Sequence, residues 1–240
     1  MHKREAAGRE RNPGRRTVRA VAGAERLAGR IVLASASPRR KEILEKAGLR
    51  FTVDAGEYEE DMGLRLPPHR LARRLSGEKA DAVAPRHRDA LIIAADTFIV
   101  FRKRLLGKPH TEEAAREMLS ALSGQTHSVV TGFTLLDTAS QKRVSGSVET
   151  RVSFKRLSRE EIEAYVASKE PLDKAGAYAI QGLGAVLVRK IEGDYFNVMG
   201  LPLSAVADAM KKFGIRILQD SAGFRASGAK KGPSEKTGFR

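Results

Sequence analysis

The stretch Ile31-Val-Leu-Ala-Ser35-Ala-Ser37-Pro38-Arg39-Arg40-Lys-Glu-Ile43-Leu44 decides the fold. Its first four residues form a short apolar run that reads as a buried strand. Two hydroxyls follow, and Ser37-Pro38 then opens a helix, since Ser suits the N-cap and Pro the first helical position. Ile43, Leu44 and Ala47 fall at helical spacing, and Gly48 is a C-terminal stop. A strand therefore ends at two hydroxyls, and two guanidiniums sit in the first turn of the helix that follows. Free backbone N–H groups and the positive end of the helix dipole make such a place an anion site. Two arginines add bidentate phosphate donors. The alternative is a capped helix with solvated arginines, and spacing alone does not separate the two.

Outward from this unit, strand-like and helix-like segments alternate. Phe51 to Asp54 reads as a second strand, and Pro67 to Val83 as a basic amphipathic helix carrying Leu71, Leu75 and Ala82. Leu91-Ile-Ile-Ala-Ala is a buried strand ending at Asp96. Thr97 to Phe101 continues as strand, and Arg102-Lys103-Arg104 makes a turn. Thr111 caps a helix to Leu122, with Glu112 and Glu113 placed where the dipole favours them. Gln125 to Leu136 and Val144 to Phe154 read as antiparallel strands joined near Ala139–Gln141. Ser158-Arg-Glu-Glu161 is a capping box before a helix to Ser168. Ala185 to Ile191 reads as a strand, Pro202 to Phe213 as a helix, and Ile215 to Leu218 as a last short strand. The order has parallel units early and a hairpin in the middle. It specifies an α/β or α+β sheet protein with a crevice, not a bundle or a sandwich.

Composition narrows the function. The 240 residues suffice for one large domain or two small ones. Cys is absent, which excludes a disulfide framework, a thiolate metal site and a Cys nucleophile together. Trp is absent and aromatics make up 5%, which disfavours a base-stacking platform for single strands. The formal net charge of +15 is concentrated at the ends: residues 1–30 carry a net +6 and residues 219–240 a net +3. The modestly basic body suits a polyanionic small molecule. Residues 1–29 are expected to be a basic disordered extension, and 219–240 a Gly/Ser/Lys-rich disordered tail. A transit peptide, a nucleic-acid arm and an over-long start all stay open for the first segment. No membrane span is expected, because the longest apolar stretch, Ala90 to Phe101, is short and carries Asp96. The expected compartment is the cytoplasm.

Several familiar motifs fail. Gly107-Lys108-Pro109 is not a P-loop, and Gly182-Leu-Gly184 lacks the third Gly of a dinucleotide fingerprint. The five His at 2, 69, 87, 110 and 127 lack ligand spacing for zinc. What remains is a set of charged residues in suggestive places. Asp96 follows an apolar strand, where α/β sheets place ligands, and a carboxylate there suits a divalent metal or the polarising of water. An Asp in a turn, satisfied by backbone amides, is the plainer reading. The acidic run Glu57, Glu59, Glu60, Asp61 is a solvated loop or the source of one further metal ligand. Lys79 lies in a helix rich in surface Arg, and Lys108 is constrained between Gly107 and Pro109.

These pieces, taken in order, resemble the Maf family. The matching stretches are the Ile31 to Leu44 unit, Gly77-Glu-Lys79-Ala, Ala95-Asp96-Thr97, Gly107-Lys108-Pro109 and Leu122-Ser-Gly-Gln-Thr-His127. They continue with Asp173-Lys-Ala-Gly-Ala-Tyr178, Ile180-Gln-Gly-Leu-Gly184 and Asn197-Val-Met-Gly-Leu-Pro202. The resemblance covers about residues 30–217 and sets a single domain over 30–218. It implies an elongated α/β fold: a mixed sheet with flanking helices and a central substrate cleft. It implies hydrolysis of a nucleoside triphosphate to monophosphate and pyrophosphate with a divalent cation, Mg²⁺ or Mn²⁺. By position, Asp96 matches the family's catalytic carboxylate and Glu60 its metal-associated glutamate. Ser35, Arg39, Arg40, Lys79 and Lys108 match phosphate contacts. Arg39, Thr97 and Gln181 match positions linked to substrate choice. A homodimer is a family-level expectation.

Ala177-Tyr-Ala-Ile-Gln181-Gly resembles the branch acting on dTTP and UTP, not the branch acting on 7-methyl-GTP. An amide both donates and accepts, which matches the mixed edge of uracil or thymine. Modified pyrimidine triphosphates share that edge. The rival readings are a 7-methyl-GTP pyrophosphatase, a nucleic-acid-binding protein acting through its basic tails, and a division-regulating protein.

Overall fold

The computed structural model describes residues 30–57 and 65–219. The extension expected over 1–29, the tail beyond Gln219, and Glu59, Glu60 and Asp61 lie outside the described residues.

Seven strands among the described residues form one mixed sheet. They are β1 (Ile31–Leu33), β2 (Thr52–Val53), β3 (Leu91–Phe101), β4 (Arg104–Leu106), β5 (Thr126–Asp137), β6 (Arg143–Phe154) and β7 (Val188–Glu192). Their order is β2-β1-β3-β5-β6-β7, with β4 also paired to β3. β1 runs parallel to both β2 and β3, and the remaining pairs are antiparallel. Six α-helices flank the sheet among the described residues: α1 (Pro38–Lys46), α2 (Pro68–Val83), α3 (Glu112–Leu122), α4 (Arg159–Ala167), α5 (Tyr195–Met199) and α6 (Leu203–Lys211). The α/β class, the early parallel units and the central hairpin are as expected.

Alternation along β3 divides the interior in two. Leu91, Ile93, Ala95, Ile99 and Phe101 join the larger core, with Leu44 of α1, Leu119 of α3, Val166 of α4 and Met210 of α6. Ile92 and Ala94 face the other way and pack with Ala80 and Val83 of α2, while Phe98 packs with Leu71 and Leu75 of the same helix. The two faces follow from the period of two along a strand. Helix α2 lies directly on the sheet because β5 has a glycine beneath it. A Cβ on Gly132 would stand 2.0 Å from the Ala72 carbonyl oxygen.

Local signals account for the helix ends. Thr111 Oγ1 accepts from the Ala114 N–H at 3.2 Å, and Ser158 and Glu161 form a complete capping box. Four features depart from expectation. Ser37 occupies the N-cap of α1, but its hydroxyl makes no cap; its own N–H donates to Ser35 Oγ at 3.2 Å. The expected strand over 185–191 begins only at Val188, because Leu183–Leu187 forms a 3-10 turn whose first amides donate to Glu170. Ile215 to Leu218 is not a strand. The Ile215 N–H donates to the Met210 carbonyl and the Gly214 N–H to that of Lys211, with Gly214 left-handed at φ 84. That is a Schellman ending to α6, and Ile215 is its hydrophobic plug. Finally, Asp96 is not at a strand end. It stands in the middle of an unbroken eleven-residue strand and pairs with Gly132.

Asp96 nevertheless lies at an opening. On the edge of β3 away from β5, β1 pairs only with Leu91 to Ile93, and β4 only with Ile99 to Phe101. Among the described residues, 94–98 have no strand partner on that edge, so the sheet is notched there. The notch begins at the C-terminal end of β1, where ligands bind in parallel α/β sheets.

Candidate active site

A cleft of about 1000 Å³ fills the notch. Its floor is the open edge of β3. The loop from β1 into α1 forms one wall, and segments around Lys108 and 173–180 form another. Five cationic side chains line it among the described residues, Arg39, Arg40, Lys79, Lys108 and Lys174, against two carboxylates, Asp96 and Asp173. A concave site with this imbalance attracts a polyanion.

Alternation puts Asp96 on the α2 face of the sheet, and α2 supplies its partner. Lys79 Nζ stands 2.5 Å from Asp96 Oδ1, with side chains 14% and 5% exposed. These two residues are seventeen positions apart in the chain, and the seating of α2 over Gly132 joins them. The contact with Lys79 holds this buried carboxylate in one orientation, as a proton acceptor or a cation ligand requires.

Thr97, the next residue, faces the larger core. Its hydroxyl meets Thr131 Oγ1 at 2.9 Å and the Gly200 carbonyl at 3.3 Å. Arg40 completes this cluster. Its Nε donates to the Gly200 carbonyl at 2.8 Å, Nη1 to Ser35 Oγ at 2.9 Å and Nη2 to Thr97 Oγ1 at 3.1 Å. Arg40 is buried and ties β1, β3 and the end of α5 together. Helix α5 is itself anchored by Asn197, whose amide donates to the Val129 carbonyl and Thr150 Oγ1. The two arginines are thus unequal. Arg39 is half-buried on the cleft wall, and burial lowers its pKa, an effect opposed by the charge of Asp173.

The loop 173–178 closes the far wall. Lys174 pairs with Asp173. Gly176 and Ala177 are both left-handed, at φ 68 and 61, and a Cβ on Gly176 would reach 2.3 Å from Ile99 Cδ1. These two residues seat Tyr178 against the sheet. Its hydroxyl lies 2.9 Å from His127 Nε2, and the rings of His127, Phe154 and Tyr178 meet edge to face. Burial brings the His127 pKa down to about 4 and pushes that of Tyr178 up. Lys108 is exposed at the rim, its loop tied by the Gly176 N–H to the Gly107 carbonyl.

Of the residues singled out in the sequence, Ser35, Arg39, Arg40, Lys79, Asp96, Thr97 and Lys108 come together around one cleft. Gln181 is not among its lining residues. It stands one position beyond Ile180, which is, and its amide donates to Glu42 Oε1 at 3.3 Å. Glu60 lies outside the described residues. Sequence reasoning passed over Lys174, Asp173 and Tyr178 as site members, although the stretch Asp173 to Tyr178 was visible as a motif. It also passed over His127, which stands behind Tyr178.

A notched mixed sheet with a cationic cleft around one buried carboxylate defines an α/β protein suited to a phosphorylated ligand. The chain belongs to the Maf family: the family model, described as Maf-like protein, matches residues 30–213. It is 47% identical over 188 residues to a protein of Bacillus cereus (strain AH820) named dTTP/UTP pyrophosphatase, covering 78% of this chain and 97% of that one. A Bacillus anthracis protein of the same name matches equally, at 47% over the same shares. A solved nucleoside-triphosphatase, also titled dITP/XTP pyrophosphatase, from Mycobacterium abscessus covers 53% of this chain and 74% of that one. It does so at 16% identity and a TM-score of 0.34, too distant to add to the argument. No helix among the described residues is long and apolar enough to cross a membrane.

Proposed function

We propose that this protein hydrolyses dTTP and UTP to the nucleoside monophosphate and pyrophosphate, by attack of water on the α-phosphorus. The reading is supported by the names of relatives that match nearly end to end over the body. The observation that carries it is the buried Lys79–Asp96 pair, set on the open edge of β3 inside a cationic cleft.

Each group has a task in that reaction. Asp96 accepts the proton of the attacking water, a role worth about 10²–10⁴-fold. Lys79 keeps that carboxylate aimed. Arg39, Lys108 and Ser35 hold the phosphate chain, and the cations oppose the charge that develops on the leaving pyrophosphate. Arg40, buried in the cleft lining, fixes Ser35, Thr97 and the Gly200 carbonyl by hydrogen bonds. Thr97 contributes to substrate choice through its place in that cluster, and Gln181 through the segment it extends from Ile180.

A divalent cation fits the donor set. Among the described residues no three His, Cys, Asp or Glu cluster as a metal site. A single central carboxylate suits Mg²⁺ or Mn²⁺, which keep waters and take their other ligands from substrate phosphates. Asp96 would hold such an ion, with Glu60 as its proposed second carboxylate. Bound there, it would supply Lewis-acid neutralisation of phosphate charge.

The test is pyrophosphate release from dTTP, UTP, CTP, GTP, ATP and 7-methyl-GTP, with Mg²⁺, Mn²⁺ or EDTA. Metal-dependent release from dTTP and UTP is the expected result. Release from 7-methyl-GTP alone would overturn the choice of base, and no release from any of them would overturn the reaction.

A further inference from the structure

The loop Gly107 to His110 runs from β4 to α3 along the cleft, and its backbone is pinned at both ends. The Gly176 N–H donates to the Gly107 carbonyl at 2.9 Å, and the His110 N–H to the Leu172 carbonyl at 3.2 Å. Pro109 is buried, while Lys108 and His110 on either side of it are exposed and line the cleft. The Thr111 N–H turns back to the Pro109 carbonyl at 2.7 Å, and His110 at the centre of that turn has φ 60. A bond from i+2 to i about a residue of positive φ marks the rarer, strained γ-turn. Glycine takes up such a backbone at no steric cost, yet a large side chain stands here. Strain of this kind persists where the surrounding structure holds it, and it gathers at ligand clamps.

The imidazole is left for a ligand. Among the described residues it makes no hydrogen bond or ion pair. The carboxylates on the neighbouring elements are already engaged: Glu112 by Lys169 and Arg116, Glu113 by Arg116, and Asp173 by Lys174. Glu170 is held by the Tyr165 hydroxyl and the amides of Leu183 and Gly184. Lys108 shares the loop with His110, and Lys174 stands on the wall to which that loop is tied. Arg39, Arg40, Lys79 and Asp96 complete the charged lining, with Asp96 bound to Lys79. A protonated His110 therefore meets cations and paired carboxylates, and the anion left for it to hold is one brought by the ligand.

We propose that His110 is a further substrate-binding residue, whose imidazolium donates a hydrogen bond to a phosphate oxygen of the nucleoside triphosphate beside Lys108. This rests on the triphosphate reading above and adds a cation that the cleft gains as pH falls, since histidine changes charge across the neutral range.

The experiment uses the full chain and α,β-imido-UTP with Mg²⁺, an analogue whose α–β bridge is not hydrolysed. His110→Asn removes the titrating ring and keeps a residue type that tolerates positive φ. Kd is measured by calorimetry for both proteins at about pH 6 and about pH 8.5, on either side of the histidine range. The variant is expected to bind about three- to tenfold more weakly than the wild type at the lower pH and to differ less than about twofold at the higher, a partly screened charged hydrogen bond. The comparison at each pH cancels titration of the nucleotide and of the other histidines. Equal weakening at both pH values, which a purely structural role for the turn would give, or no weakening at the lower one, would overturn the contact. Wild type that binds no analogue at either pH would overturn the triphosphate reading itself, a result distinct from tight binding indifferent to His110→Asn.

Discussion

Asp96 and Thr97 are neighbours in sequence and face opposite sides of the sheet. Asp96 turns to α2 and Lys79, and Thr97 to Arg40, Thr131 and the Gly200 carbonyl. The notch in the edge of β3 lets one cleft reach both. Reacting and scaffolding groups are thereby assembled on either side of a single backbone.

Replacement of Asp96 by Asn keeps the shape and removes the proton acceptor. Turnover is expected to fall about 10²–10⁴-fold, with a circular dichroism spectrum and a cooperative melt like those of the wild type. A folded Asp96→Asn protein with near wild-type kcat would exclude the role assigned to the carboxylate.

The two adjacent arginines separate by experiment. Arg39→Ala removes a cleft-wall cation and is expected to raise KM with little change in stability. Arg40→Ala removes three hydrogen bonds to Ser35, Thr97 and Gly200 and is expected to destabilise by roughly 2–5 kcal/mol. Denaturant melts and steady-state kinetics of both variants check this, and the reverse pattern would contradict the assignment.

Gly132→Ala tests the seating of α2. The new methyl has no room against the Ala72 carbonyl, so the helix must lift and carry Lys79 away from Asp96. Destabilisation of roughly 3 kcal/mol or more is expected, together with a drop in activity measured at a temperature where the variant is still folded.

His127 gives stability a pH dependence of known sign. Its folded pKa of about 4 lies below the ordinary 6.5 because burial disfavours the charged ring. The unfolded chain therefore binds the extra proton first. The contribution is fully present above about pH 6.5 and is lost as pH falls towards 4, by up to about 3 kcal/mol. Melts from pH 7 to 5 are expected to show a steeper loss for the wild type than for His127→Gln.

Much of this was legible in the sequence. The β1–α1 unit, the long β5–β6 hairpin and the caps at Thr111 and Ser158 follow from apolar period and local capping chemistry, and they form where that chemistry places them. What escaped depends on direction in space. Arg39 and Arg40 look alike in sequence and both line the cleft, yet a helix turns about 100° per residue, so Arg39 stays half-exposed on the wall while Arg40 is buried against Ser35, Thr97 and the Gly200 carbonyl. Asp96 read as a strand end because a charge interrupts an apolar run; the strand continues because Lys79 satisfies that charge. Ile215 read as strand because apolar residues at a helix's Schellman ending look the same as a short buried run. The five-residue α5 was missed, although Asp194 caps its start and left-handed Gly200 its end. Its weight in the site comes from the Gly200 carbonyl, which no side-chain pattern announces.

The most direct test of the central claim is hydrolysis of UTP in water labelled with heavy oxygen, followed by mass analysis of both products. Attack at the α-phosphorus, guided by Asp96, places the label in uridine monophosphate and leaves pyrophosphate unlabelled. Label in the pyrophosphate, or release of orthophosphate in its place, would contradict the account.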